Sequence, residues 1–160
     1  MPTRLNLGEI VTAYDLAADV GCDTFVTGPL MRLGRAAADW ARLAPTEAEW
    51  REAADRLDAR ARETGSAVTL SIYPWDILTE CRTRLESPQA MLLIVPNGKV
   101  KLLNALPFAP ADLRRQDLAE AWDAYRQAWK SREVRAFIER CGGDPELLRH
   151  ANETWSPRAT

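Results

Sequence analysis

Apolar positions repeat with two different habits along the chain, and the habit changes near its middle. In the first half Ile10, Tyr14, Ala17 and Ala18 make one helical face behind Asn6 and Glu9, whose spacing has the form of a capping box. Gly21 is placed to close that helix. Cys22–Thr27 (CDTFVT) reads as a short strand stopped by Gly28–Pro29, and a loop, Leu30–Arg35, leads to a short helix through Ala36, Ala37, Ala38 and Trp40. Thr46 with Glu49 forms a second capping box. It opens a helix with Trp50, Ala53, Ala54, Leu57 and Ala61 on one face, ended by Gly65. Val68–Ile72 (VTLSI) is a second strand. The order helix, strand, helix, strand predicts parallel α/β units. Two parallel strands do not make a stable sheet alone, so this half predicts an unpaired strand edge and an exposed apolar face.

The second half reads differently. Ala90–Val95 (AMLLIV) and Val100–Leu103 (VKLL) flank Pro96-Asn97-Gly98-Lys99, and Asn-Gly between apolar runs predicts a hairpin with a type I′ turn. A Pro-bearing loop, Asn104–Arg115, follows. Asp117 with Glu120 caps a helix carrying Leu118, Trp122, Tyr125 and Trp129 on one face. Ser131 starts another with Val134, Phe137 and Ile138 inward, and Gly142–Gly143 breaks it. Asp144–Pro145 restarts a last helix with Leu147, Leu148, Ala151 and Trp155. Composition shifts near Pro74–Pro88, which divides the chain into 1–80 and 81–160.

Composition narrows the function classes. No apolar run is long enough to cross a bilayer, and Arg4 is followed by Asn6, Gly8 and Glu9 where a secretory signal would carry an apolar core. A formal charge of −2 argues against a general nucleic-acid binder but leaves room for a local anion site. Cys22, Cys81 and Cys141 are odd in number and widely spaced, which predicts reduced thiols in a cytoplasmic protein. His150 is the one histidine, and nothing marks a nucleophile beside it. The segment from Thr27 through Gly28, Leu30, Arg32, Gly34 and Arg35 is the candidate binding loop. It follows a strand, where open α/β sheets take ligands, and a helix start flanked by two arginines favours an anion. The alternative is an ordinary strand-to-helix loop with surface arginines.

Pro96-Asn97-Gly98-Lys99-Val100, Pro107-Phe108, Asp112-Leu113-Arg114 and Leu118, Glu120 and Trp122 occur in the order of a hairpin, a loop and a helix. Together they resemble the SPASM-type C-terminal extension of radical SAM enzymes. The first half is similar to the last two strand–helix units of the radical SAM partial barrel. Its Gly28-Pro29-Leu30, Gly34, Arg35 and Ala36 are similar to the loop after the sixth barrel strand in peptide-modifying members. The resemblance covers roughly residues 5–141.

It implies an α/β chain, α+β overall, that starts inside a barrel and continues into a β-hairpin and C-terminal helices. It also implies radical modification of a ribosomally made peptide. The S-adenosylmethionine and 4Fe-4S cluster would be held elsewhere in the complete enzyme, by a partner chain or a missing N-terminal barrel half. The family's C-x-x-x-C-x-x-C motif is absent, and Leu103 stands where the extension's second cysteine belongs. Cys81 and Cys141 are weak metal candidates, with Asp144, His150 and Thr154 at the remaining ligand positions, so no cluster is expected on this chain alone. Ala111 after Pro110 replaces the usual glycine of the loop. With no metal to face, Leu103 is expected to be buried against Trp122 or Phe108. The implied role is to close the barrel and shape the substrate channel. The alternatives are a non-catalytic module presenting the Arg32/Arg35 loop and the hairpin to a peptide or protein, and a small unrelated α/β enzyme.

Overall fold

The computed structural model describes residues 1–65 and 67–149. It is mixed α/β, with one small parallel sheet and one small antiparallel sheet. The chain divides into two compact units, residues 1–31 with 39–76, and residues 32–38 with the chain from Ile77 onward.

In the first unit a 3₁₀ turn, Leu7–Glu9, precedes α1 (Ile10–Asp19). The expected capping box at Asn6 does not form. The Asn6 carboxamide oxygen instead accepts from the Thr3 main-chain N–H at 2.6 Å and the Thr3 hydroxyl at 2.9 Å. At the other end Gly21, at φ +76°, makes a Schellman close: its N–H donates to Ala18 O, and Cys22 N–H donates to Ala17 O. β1 (Thr24–Thr27) follows. The expected single short helix is two pieces, α2 (Gly34–Ala38) and α3 (Trp40–Leu43), with Asp39 between them. α4 (Glu47–Thr64) has the full Thr46/Glu49 capping box and ends on Gly65 in the left-handed region. β2 (Thr69–Ile72) pairs parallel to β1 with Thr24 opposite Thr69 and Thr27 opposite Ile72.

Phe25, Leu70 and Ile72 turn one face of this sheet onto a core of Leu7, Ile10, Tyr14, Ala53, Leu57 and Val68, so α1 and α4 cover the same face. Tyr14 is held there by an edge-on contact with Phe25 and by its hydroxyl donating to Val68 O at 3.3 Å. The opposite face presents Thr24, Val26, Thr69 and Ser71, all exposed. It is mainly hydroxylic, and Val26, 69% exposed, is its one apolar residue. This face of the sheet is therefore largely polar.

In the second unit α5 (Ile77–Glu86) occupies the stretch expected to be a boundary. β3 (Leu93–Ile94) and β4 (Lys99–Lys101) form the hairpin, and β5 (Ala111–Asp112), inside the expected loop, adds antiparallel to β4. The turn is not type I′, because Asn97 does not have the positive φ that such a turn requires. Gly98 N–H donates to Val95 O at 2.8 Å, which centres the turn on Pro96 and Asn97 and leaves Gly98 after it at φ +80°. Proline's fixed φ suits the first central position of such a turn and draws it back by one residue.

α6 (Leu118–Trp129) has the expected capping box from Asp117 and Glu120. Ala121, Tyr125 and Trp129 form its buried line, whereas Leu118 in the first turn is 60% exposed. α7 (Arg132–Gly143) starts at the Ser131 cap, buries Val134, Ile138 and Cys141, and carries Gly142 and Gly143 inside its last turn. A 3₁₀ turn, Pro145–Leu148, follows; His150, Ala151, Thr154 and Trp155 lie outside the described residues. α6 packs on β4 and β5, and α7 on α5 and α6. Among the described residues no helix is long and apolar enough to cross a membrane.

Candidate functional site

The C-terminal ends of the two parallel strands form the first site. Thr27 is buried, and its carbonyl accepts from Tyr73 N–H at 2.7 Å, extending the ladder beyond β2. Gly28 comes next, buried, and a Cβ built on it would lie 2.8 Å from Tyr73 Cβ and 3.2 Å from Tyr73 O. The close approach that demands glycine here is therefore that of Tyr73. Leu30 is half-buried in the loop that follows. Tyr73 and Trp75 meet edge-on with centroids 5.8 Å apart. Both rings lie just beyond β2, at the end of the strands where parallel sheets take ligands. The sequence signal for them was the run Tyr73-Pro74-Trp75 directly after a strand, and sequence reasoning passed over it.

The other three residues of the candidate loop belong to the second unit. Arg32 is ion-paired with Glu146 at 2.5 Å. Gly34, at φ +49°, opens α2, which has only five residues and so little dipole to offer an anion. Arg35 is exposed and makes no hydrogen bond or ion pair among the described residues. Thr27, Gly28 and Leu30 thus stand on one unit and Arg32, Gly34 and Arg35 on the other. Of the two arginines, only Arg35 has its guanidinium uncommitted.

The hairpin brings separate segments together. Leu113 N–H donates to Gly98 O at 2.9 Å, and Lys99 pairs with Asp112 across β4 and β5. Arg114 lies over Gly98, where a Cβ would come within 2.9 Å of its Cγ. Arg114 also grips Asp112 through Nε at 2.9 Å and Nη2 at 2.6 Å, and that guanidinium holds the Asp112 carboxyl far below the usual carboxylate range. Beside this pair a cleft of about 370 Å³ is lined by Lys99, Ala109, Pro110, Ala111, Asp112, Arg115 and Gln116. On β4, Lys101 is only 3% exposed, its ammonium donates to Asn104 O at 3.3 Å, and burial pulls its pKa down. Leu103 is half-buried, whereas Leu102 is 3% exposed: the fully buried position lies one residue before the expected one.

Cys81 on α5 and Cys141 on α7 are each 1% exposed. Burial first, and then the charge of Asp144, push the Cys141 thiol up to about 11, against the opposing pull of Arg140. It is a protonated core thiol at neutral pH. Cys22 is exposed, on the first unit. Among the described residues no group of three His, Cys, Asp or Glu side chains is placed to share a metal ion. No family model matches the chain, and neither a curated protein nor a solved structure does.

Proposed function

We propose that the chain is the C-terminal part of a radical SAM/SPASM-like enzyme that modifies a ribosomally made peptide. In this reading the first unit supplies the last two strand–helix units of a partial barrel and the second unit a degenerate extension. The observation that carries it is the one-sided parallel sheet: α1 and α4 cover one face of β1 and β2, and the other face is a bare row of Thr24, Val26, Thr69 and Ser71. A doubly wound sheet places helices on both faces, whereas a barrel keeps them all outside and turns the other face to the lumen. A hydroxyl-rich row suits a wall of a substrate channel better than a core. The contact between the Pro96-Asn97-Gly98 turn and the Asp112-Leu113-Arg114 segment adds support, since these are two halves of the motif that the extension resembles.

The described residues do not fit an iron–sulfur cluster. Cys141 is a buried thiol with a raised pKa, Cys81 is equally buried, and Leu103 stands at a ligand position. No catalytic step is therefore assigned to this chain. In this reading the first unit lines the channel with Thr27, Tyr73 and Trp75 at its strand ends. On the second unit, Arg35, with no hydrogen bond or ion pair among the described residues, can pair with a carboxylate or phosphate.

The test is assembly. Expressed alone, the chain should self-associate or hold on to a partner bearing C-x-x-x-C-x-x-C, and the anaerobic pair should cleave S-adenosylmethionine. In that pair Arg35→Ala should weaken peptide or S-adenosylmethionine binding with the melting temperature nearly unchanged. A compact, stable monomer with one cooperative melt in light scattering and calorimetry overturns the barrel reading.

A further inference from the structure

A groove of about 280 Å³ runs along the edge of β1 that faces away from β2, lined by Met1, Pro2, Asn6, Glu9, Ile10, Ala13, Phe25, Val26 and Thr27. Asp23 O and Thr27 O accept from Thr69 N–H and Tyr73 N–H, so by the alternation of a parallel ladder the main-chain groups of Thr24 and Val26 point to the groove side. Neither residue makes a hydrogen bond beyond the ladder among the described residues. Ile10, Ala13 and Phe25 give the groove an apolar floor. Glu9, exposed and with no ion pair among the described residues, is the one charged side chain on its rim.

We propose that this groove receives an extended segment of the partner polypeptide as a third strand, parallel to β1. The inference rests on the reading above for the partner's identity, and on the edge for everything else. α1 lies against the same face as α4, in the place of a crossover helix. Crossovers between parallel strands are right-handed, so the strand that α1 would follow belongs beside β1, on the side away from β2. β1 spans four residues, which sets a matching segment of about four to six residues. The occupant has apolar side chains at alternate positions, to meet Ile10, Ala13 and Phe25, while its main chain bonds Thr24 and Val26. Because α1 starts beside the C-terminal end of β1, Glu9 asks for a basic residue at the segment's C-terminal end.

The probe is a fluorescein-labelled six-residue peptide of alternating valine and threonine ending in lysine, titrated against the full chain. Saturable binding below about 1 mM is expected. N-methylation of one alternate set of peptide nitrogens should weaken it at least about tenfold, and methylation of the other set should change it less than about twofold, because only one set faces the edge. Ending the peptide in glutamate should weaken binding several-fold at low salt. Val26→Pro, which removes an outward N–H at an edge, should match the sensitive methylated peptide. Should that variant melt early, the two methylated peptides decide alone. Absence of binding, or equal effects of the two methylation sets, overturns the proposal. The peptide assay involves no iron or S-adenosylmethionine, so its outcome is separate from that of the assembly test.

Discussion

Gly28→Ala sets two opposed effects against each other at the end of β1. Gly28 lies outside the positive-φ region, so alanine can adopt its backbone conformation. The loss of unfolded-chain freedom would then stabilise the protein by about 0.4–1 kcal/mol. Against this, the new Cβ would sit 2.8 Å from Tyr73 Cβ and 3.2 Å from Tyr73 O. Neither atom is the far end of a flexible side chain, and Tyr73 is tied to Thr27 by a 2.7 Å main-chain bond, so β1 and β2 must separate. Forced overpacking of this kind costs about 1–3 kcal/mol, which exceeds the entropic gain. The expected net loss is about 1–2 kcal/mol in a urea melt of the full chain. Tyr73→Gly removes the nearer of the two atoms, so Gly28→Ala should cost less in that background, and the cycle isolates the contact. If Gly28→Ala is neutral or stabilising in the wild-type background, the two strands are not pressed together here, and the glycine is left for some other approach, such as a ligand's.

Leu102→Ala should cost about 2–5 kcal/mol and Leu103→Ala clearly less, by the same melts; the reverse order would restore Leu103 as the buried position of the hairpin. Lys101 has a folded-state pKa below that of a free lysine, so between the two values the unfolded chain binds the extra proton and stability rises with pH toward about 10.4. Lys101→Met should flatten that rise in melts taken across pH 8–11 (about three units wide), and a slope unchanged by the substitution would count against a buried ammonium. Iodoacetamide at pH about 8 should label Cys22 quickly and spare Cys81 and Cys141 until denaturant is added, as peptide mapping would report. Rapid native labelling of Cys141 would contradict its burial.

Where structure is decided within a few residues, the sequence could be read directly. Thr46 with Glu49 and Asp117 with Glu120 close their boxes through reciprocal bonds spanning three residues. Asn6 with Glu9 has the same spacing and fails because Thr3 competes for the carboxamide, a contact no pattern of apolar residues reveals. Pro96 shifted the hairpin turn by one residue for a reason equally local, yet the Asn-Gly signal hid it. α5 escaped notice because a charged residue interrupts its inward line. Its buried positions include Glu80 beside Ile77 and Cys81, and Glu80 is paired with Arg84 at 2.7 Å on the next turn. A buried ion pair reads as a solvated face in any hydrophobic pattern.

The candidate site was legible to the same extent and no further. That a strand ends at Thr27 and a tight residue follows could be read from Gly28-Pro29; what presses on Gly28 could not, because Tyr73 is distant in sequence and adjacent only through parallel pairing. The candidate loop was one continuous stretch from Thr27 to Arg35, and the boundary between compact units passes through it, after Met31. The hairpin shows the same limit. Val100, Lys101 and Leu102 are all buried in succession, and a motif aligned by position puts the burial at Leu103, one residue too late. β4 lies between two other strands and under α6, and a central strand enclosed in this way buries both of its faces. The packing around each strand, and not position along a motif, therefore decides which side chain is enclosed.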